Sequence, residues 1–356
     1  MKAKKWFKIF ISLILVIVLA LAAMVAIIDP FFHYHAPIKG LYYTLDEERY
    51  QNDGITKHFD YDALITGTSM TQNFKTSQAE ELFGYDFIKV CYSGGMYKEI
   101  GGNIELALET HDVKMVVRGI DGTYLFEDKD ASRNDLGTYP TYLYDNNIFN
   151  DVNYLLNSTV ILGYCLPTLA RLFTGHDGGY TSFDDYSSWQ AEATFGKEAV
   201  VGNGTSYDLT TEQEDMSDDE KKTLIDSFTQ NVIDMAIKYP DTDFYLFFPP
   251  YSAAYLGIEY EDGQMNKLFQ GYKLAASLLV QYDNIHLFAF DDRFDITQNL
   301  DNYRDISHYA SWVNEEILEC MESGTGELTA DTYEEYYDTL IEYYDAFDFN
   351  AWVNGQ

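Results

Sequence analysis

Three segments of this chain hold residues whose types and order suit nucleophilic acyl chemistry. The first runs Ile65-Thr66-Gly67-Thr68-Ser69-Met70. A glycine there lets the backbone leave a strand sharply. Ser69 then sits at the start of the next turn, where the helix dipole and its own N–H favour negative charge. The second runs Cys91-Tyr92-Ser93-Gly94-Gly95. Its two glycines allow close backbone approach, so that an N–H can face an oxyanion. The third runs Asp305-Ile306-Ser307-His308. That spacing lets a carboxylate fix an imidazole tautomer from within one short loop. Together they supply a nucleophile (Ser69), a base (His308) and an orienting carboxylate (Asp305).

Each segment alone is weak. Thr68 or Ser69 in a Gly-Thr-Ser turn is also what an ordinary helix cap looks like. Gly94 and Gly95 also fit a plain turn. Asp283 and His286 repeat the Asp-x-x-His spacing elsewhere in the chain. Position separates the two pairs. His286 enters a strand at its amino end, whereas His308 follows the last strand and opens a helix. In an open α/β sheet, ligands bind beyond the carboxyl ends of the strands. Ser69, the glycine pair and His308 all fall on that edge.

The elements that must position these residues follow from hydrophobic periodicity. Short apolar runs at Asp62–Thr66, Phe87–Tyr92, Lys114–Ile120, Phe244–Phe248 and Ile285–Phe290 read as strands. Helical patterns lie between them, at Glu99–His111 and about residues 218–238, 264–281 and 309–321. This alternation predicts an α/β fold, a flavodoxin-like three-layer sandwich around a parallel sheet of order 2-1-3-4-5. A long insertion, about 122–217, follows the third strand and reads as a lid or substrate wall, with a structural cap as the alternative. The sheet domain is expected over 61–322. An acidic, Tyr-rich helical segment, 323–356, should pack on it. No Lys or Arg follows Arg304.

The amino-terminal region has a different character. Lys2, Lys4, Lys5 and Lys8 form a basic end, 1–8. Ile9–Ile28 then carries Ser12 as its sole polar residue. At ~1.5 Å per residue such a run spans a ~30 Å hydrocarbon core. The flanking lysines predict a cytoplasmic amino terminus and an exported remainder, a single-pass arrangement. The run is longer than a usual signal peptide's apolar region, and no good cleavage site ends it. Residues 29–60, with Pro30, Pro37 and Gly40, read as a stalk.

Composition excludes other classes. The net charge is −35, so the chain repels phosphate backbones, and nucleic acid is not an expected partner. Aromatics at 16% argue against a disordered acidic chain. Cys91, Cys165 and Cys320 are odd in number and widely spaced, which fits neither a disulfide framework nor a zinc site. No metal site and no cofactor are expected. The 31 tyrosines suit half-buried positions, and exposed rings would suit sugar faces.

On Gly67-Thr68-Ser69, Gly94-Gly95 and Asp305-Ile306-Ser307-His308 the exported part resembles the SGNH (GDSL-like) hydrolase superfamily. With its anchor it resembles the membrane-anchored extracellular members found in Gram-positive bacteria, such as that of the teichoic-acid D-alanylation system. The resemblance implies a serine esterase or O-acyltransferase at the cell membrane, acting on acyl esters of envelope glycan or teichoic acid, with a membrane acyltransferase as a further partner. It also implies an oxyanion hole near Ser69, Gly94 and Gly95, with an Asn side chain after the third strand. Here that place holds Asp121, which as a carboxylate cannot donate a hydrogen bond. The oxyanion hole then relies on the backbone N–H groups of Ser69 and Gly94 or Gly95, or Arg118 or Asn73 assists, or activity is weak. The alternative is a weak or inactive SGNH-like partner protein of envelope-polymer modification.

Overall fold

The computed structural model describes residues 2–133, 139–145, 147–175, 177–202 and 204–355. Eight strands occur among them in chain order: β1 Tyr42–Tyr43, β2 Ala63–Gly67, β3 Phe87–Cys91, β4 Met115–Gly119, β5 Gly179–Tyr180, β6 Asp243–Phe248, β7 Ile285–Ala289 and β8 Glu327–Leu328. Six form one sheet in the order β3-β2-β4-β6-β7-β8. The first five are parallel, and β8 pairs antiparallel with β7. The protein is thus α/β with a mostly parallel sheet. β8, only two residues long, was not foreseen from the sequence.

The strands are apolar on both faces because both are covered. Side chains alternate across the sheet. Ile65, Val117, Phe247 and Phe288 belong to one core with Ala79, Val313, Ile317 and Met321 of the helices Thr76–Phe83 and Ser311–Ser323. On the other face Phe248 meets Tyr272 of the helix Met265–Leu279, ring centroids 4.7 Å apart. The acidic C-terminal segment forms the helix Tyr333–Asp345, whose Tyr337 and Tyr344 lie against Tyr272 and Phe269.

The chain divides into two compact units. Tyr61–Arg133 and Phe183–Gln356 build the sheet unit; Met1–Asp60 and Asn134–Ser182 build the other. This corrects two expectations. Residues 29–60 are not a stalk, since Phe31, Phe32, Tyr43, Ile55 and Phe59 are buried. The insertion is not one lid, because both of its ends, up to Arg133 and from Phe183, belong with the sheet, and only the stretch between them belongs to the other unit.

In the amino-terminal unit the helix Lys2–Ile28 is long and apolar enough to cross a membrane, with most of its surface exposed. The chain turns directly after it. Asp29 and Phe32 take left-handed backbone, φ 47° and 56°. The buried Asp29 carboxylate accepts the N–H groups of His33, Tyr34 and His35 and the Tyr154 hydroxyl, and so holds the turn. Gly54, in the helix Glu48–His58, is needed there: a Cβ would stand 2.2 Å from the Phe31 carbonyl oxygen.

Candidate active site

The nucleophile turn is built where β2 ends. Gly67 has φ +149°, and a Cβ there would lie 2.6 Å from the Thr71 side chain. Thr68 caps the short turn Ser69–Thr71, accepting the Met70 N–H at 3.3 Å. This is the capping role open to Thr68, and it leaves Ser69 on the turn with its hydroxyl available. Ser69 Oγ lies 2.7 Å from His308 Nε2. His308 Nδ1 is 2.9 Å from both oxygens of Asp305. With the Nδ1 proton directed at Asp305, Nε2 is the acceptor that faces the serine hydroxyl.

Asp305 is held by its own loop. Its Oδ1 accepts the N–H groups of Ser307 at 3.0 Å and His308 at 2.8 Å. Burial raises its pKa, but the hydrogen bonds from the His308 ring and backbone outweigh that and bring it down to about 2. The carboxylate therefore stays ionised beside the imidazole. The His308 loop is also tied to the serine turn. The Met70 carbonyl accepts from both Tyr309 Oη, 3.3 Å, and Asn314 Nδ2, 3.0 Å. From the loop after β6, Ser252 Oγ donates to the Ile306 carbonyl at 2.6 Å. Residues 239 apart in sequence are thus locked at hydrogen-bond distance.

The other expected residues take different roles. Gly94 has φ +59°, and its carbonyl accepts from Arg133 Nη1 at 3.1 Å. The Gly95 N–H is used in a tight turn, donating to the Tyr92 carbonyl at 2.6 Å. Arg118 does not reach the serine. It is buried on the sheet face toward Asn231 and Tyr97, donating to the Asn231 carbonyl at 2.6 Å, and burial lowers its pKa to about 10. Asp121 is an acceptor already filled. It takes the Thr68 hydroxyl at 2.8 Å, the Thr123 N–H at 3.1 Å and the Tyr251 hydroxyl. It braces the residue before Ser69 and offers no proton. Asn73 uses its oxygen to accept Ser188 Oγ, 3.0 Å, and the Trp189 N–H, 3.2 Å, while its buried Nδ2 has no partner among the described residues.

Three neighbours of the site went unseen in the sequence. Trp189 lies edge-to-face with His308, centroids 5.6 Å apart, and its Nε1 is 3.5 Å from the Ser69 carbonyl. Arg304 places its guanidinium over the same indole, 4.8 Å from the ring centroid. Lys89 of β3 is fully buried, and its Nζ donates to the carbonyls of Gln72, 2.5 Å, Phe74, 2.9 Å, and Asp184, 3.4 Å. The adjacency of Arg304 to Asp305 was a usable signal. Nothing local marked Trp189. Among the described residues no cluster of His, Cys, Asp and Glu could hold a metal ion.

No protein-family profile matches the chain, and no curated protein matches it. Among solved structures, one from Streptococcus pneumoniae, described provisionally as a platelet activating factor, is similar over 78% of this chain and 90% of its own. Its identity is 12% and its TM-score 0.35, so the likeness carries no argument about chemistry.

Proposed function

We propose that the chain is a membrane-anchored serine esterase or O-acyltransferase of the SGNH type, working outside the cytoplasm on acyl esters of envelope glycan or teichoic acid. The observation that carries this reading is the hydrogen-bonded relay from Ser69 Oγ through the His308 ring to Asp305. Ser69 attacks the ester carbonyl and its proton passes to His308 Nε2. Among the described residues the Ser69 and Gly94 amides have no acceptor, so both are free to donate to the developing oxyanion. The imidazolium, steadied by ionised Asp305, then protonates the leaving alkoxide. Water or an acceptor hydroxyl next attacks the acyl-serine, with His308 as base, and Ser69 is restored. The five parallel strands, in the order β3-β2-β4-β6-β7, support reading the scaffold as flavodoxin-like. The amino-terminal helix supports the anchor, and the resemblance supplies the substrate class.

The test is covalent labelling. A fluorophosphonate probe should label the full chain, and Ser69→Ala and His308→Ala should abolish the signal. Labelling that survives Ser69→Ala sinks the assignment. A second reading, a non-catalytic partner protein, is favoured by Asp121 standing where the superfamily places an oxyanion-donating Asn. Under that reading Ser69→Ala would complement an envelope defect as well as the wild type does.

A further inference from the structure

Arg304 is the last cation in a chain of net charge −35, and it lies beside the triad. Its side chain is 39% exposed. Two contacts fix it. The guanidinium sits over the Trp189 indole, and Nε lies 3.7 Å from Asp305 Oδ2. That second contact is too long for a hydrogen bond. Neither Nη nitrogen has an acceptor among the described residues. An arginine stacked on an aromatic face keeps its in-plane N–H donors for a planar or tetrahedral anion. Trp189 is held in turn through its backbone N–H by Asn73, and its ring also borders His308. One indole therefore borders His308 and carries a guanidinium whose Nη donors are unspent among the described residues.

From this geometry we infer that Arg304 and Trp189 form a subsite for an anionic group, phosphate or carboxylate, on the ester substrate. The inference rests on the esterase or acyltransferase reading and adds the charge of the substrate to it. The physical need is plain. The field of 35 excess negative charges repels an anionic substrate, so recognition requires a local, partly desolvated cation at the point of reaction. The Nη donors of Arg304 supply it while Nε remains turned toward Asp305.

The experiment compares two esters that differ only in charge, 1-acetylglycerol and 1-acetylglycerol 3-phosphate, on the full chain in detergent micelles. Wild type should prefer the phosphate ester in kcat/KM, mainly through KM. Arg304→Gln should reduce that preference about 10–100-fold, the range for losing a charge-assisted bidentate contact. Arg304→Lys should restore part of it. A wild type without preference overturns the inference. So does a ratio unchanged in Arg304→Gln, because a residue that merely steadied Asp305 would lower both esters alike. If neither ester turns over, binding of glycerol 3-phosphate to Ser69→Ala by calorimetry decides. Binding that vanishes in Ser69→Ala/Arg304→Gln upholds the subsite even as the esterase reading falls. No binding, or binding indifferent to Arg304, overturns it.

Discussion

At the scale of single residues, Asp305 links the site's chemistry to pH. Its ordinary pKa of 3.8 is brought down to about 2 in the fold. A depressed carboxylate contributes stability that is complete above the unfolded value and is lost as pH falls through the folded one. The thermal stability gap between wild type and Asp305→Asn should therefore be constant above about pH 4 and close toward pH 2. The side chain is 41% exposed, so solvent screening keeps that gap small. Catalysis should suffer far more. Asn in the orienting position favours the wrong imidazole tautomer, and hydrolysis of a simple ester should drop about 10³–10⁴-fold. A drop of less than tenfold would mean that His308 is oriented by something else. That Ser69, Asp305 and His308 meet could be read in the sequence because each lies in a short motif at an element boundary, Ser69 just beyond β2 and the other two shortly before the helix Ser311–Ser323. The bracing role of Asp121 was hidden for the opposite reason. Its role is set by Thr68 and Tyr251, and Tyr251 is 130 positions away, so no local pattern shows the carboxylate already filled. Arg118 was misread likewise, since the Asn231 carbonyl that takes its guanidinium comes from a distant helix.

At the scale of elements, the parallel strands were legible because burial on both faces demands continuous apolar runs, and such runs are visible in one dimension. What was illegible was joined by distance. β8 has two residues and no period. The described residues of 139–182 pack with those of 2–60 through side chains, such as Tyr154 against Asp29, that carry no sequence signature. Lys89 is the clearest case. A lysine inside the apolar strand Phe87–Cys91 is a local oddity, and the structure explains it. Its ammonium has three donors and meets three carbonyls, two on the loop after the nucleophile turn and one on the segment leading to Trp189. The strand thus pins the two pieces of backbone that frame Ser69. Lys89→Met fits the same space but leaves those carbonyls unsatisfied. It should cost about 2–4 kcal/mol in urea unfolding and slow fluorophosphonate labelling of Ser69. Unchanged stability would show that water replaces the ammonium at no cost.

At the scale of the whole molecule, charge and hydrophobicity are segregated along the chain. The basic residues Lys2, Lys4, Lys5 and Lys8 lie in the first turns of the helix Lys2–Ile28, its apolar run follows them, and the acidic remainder of the chain comes after it. A bilayer with a negative cytoplasmic face retains lysines on that side, and a strongly acidic polypeptide gains nothing by staying near it. The sharp turn held by Asp29 begins one residue after the helix, so folded structure starts where the helix stops. The charge argument predicts one orientation, with the lysines in the cytoplasm, and the early turn predicts that the folded part begins close to the bilayer. A phosphatase that matures only after export, fused behind Gln356, should be active, and the same reporter fused before Met1 should be inactive. Replacing the four lysines with glutamate removes the retention signal while leaving the apolar span intact, so the carboxyl-terminal reporter should lose several-fold activity with the protein still resisting carbonate extraction. Release of the wild-type chain by carbonate would show that the helix does not span. An active amino-terminal reporter would show that it spans the other way, with Ser69 on the cytoplasmic side and envelope esters out of its reach.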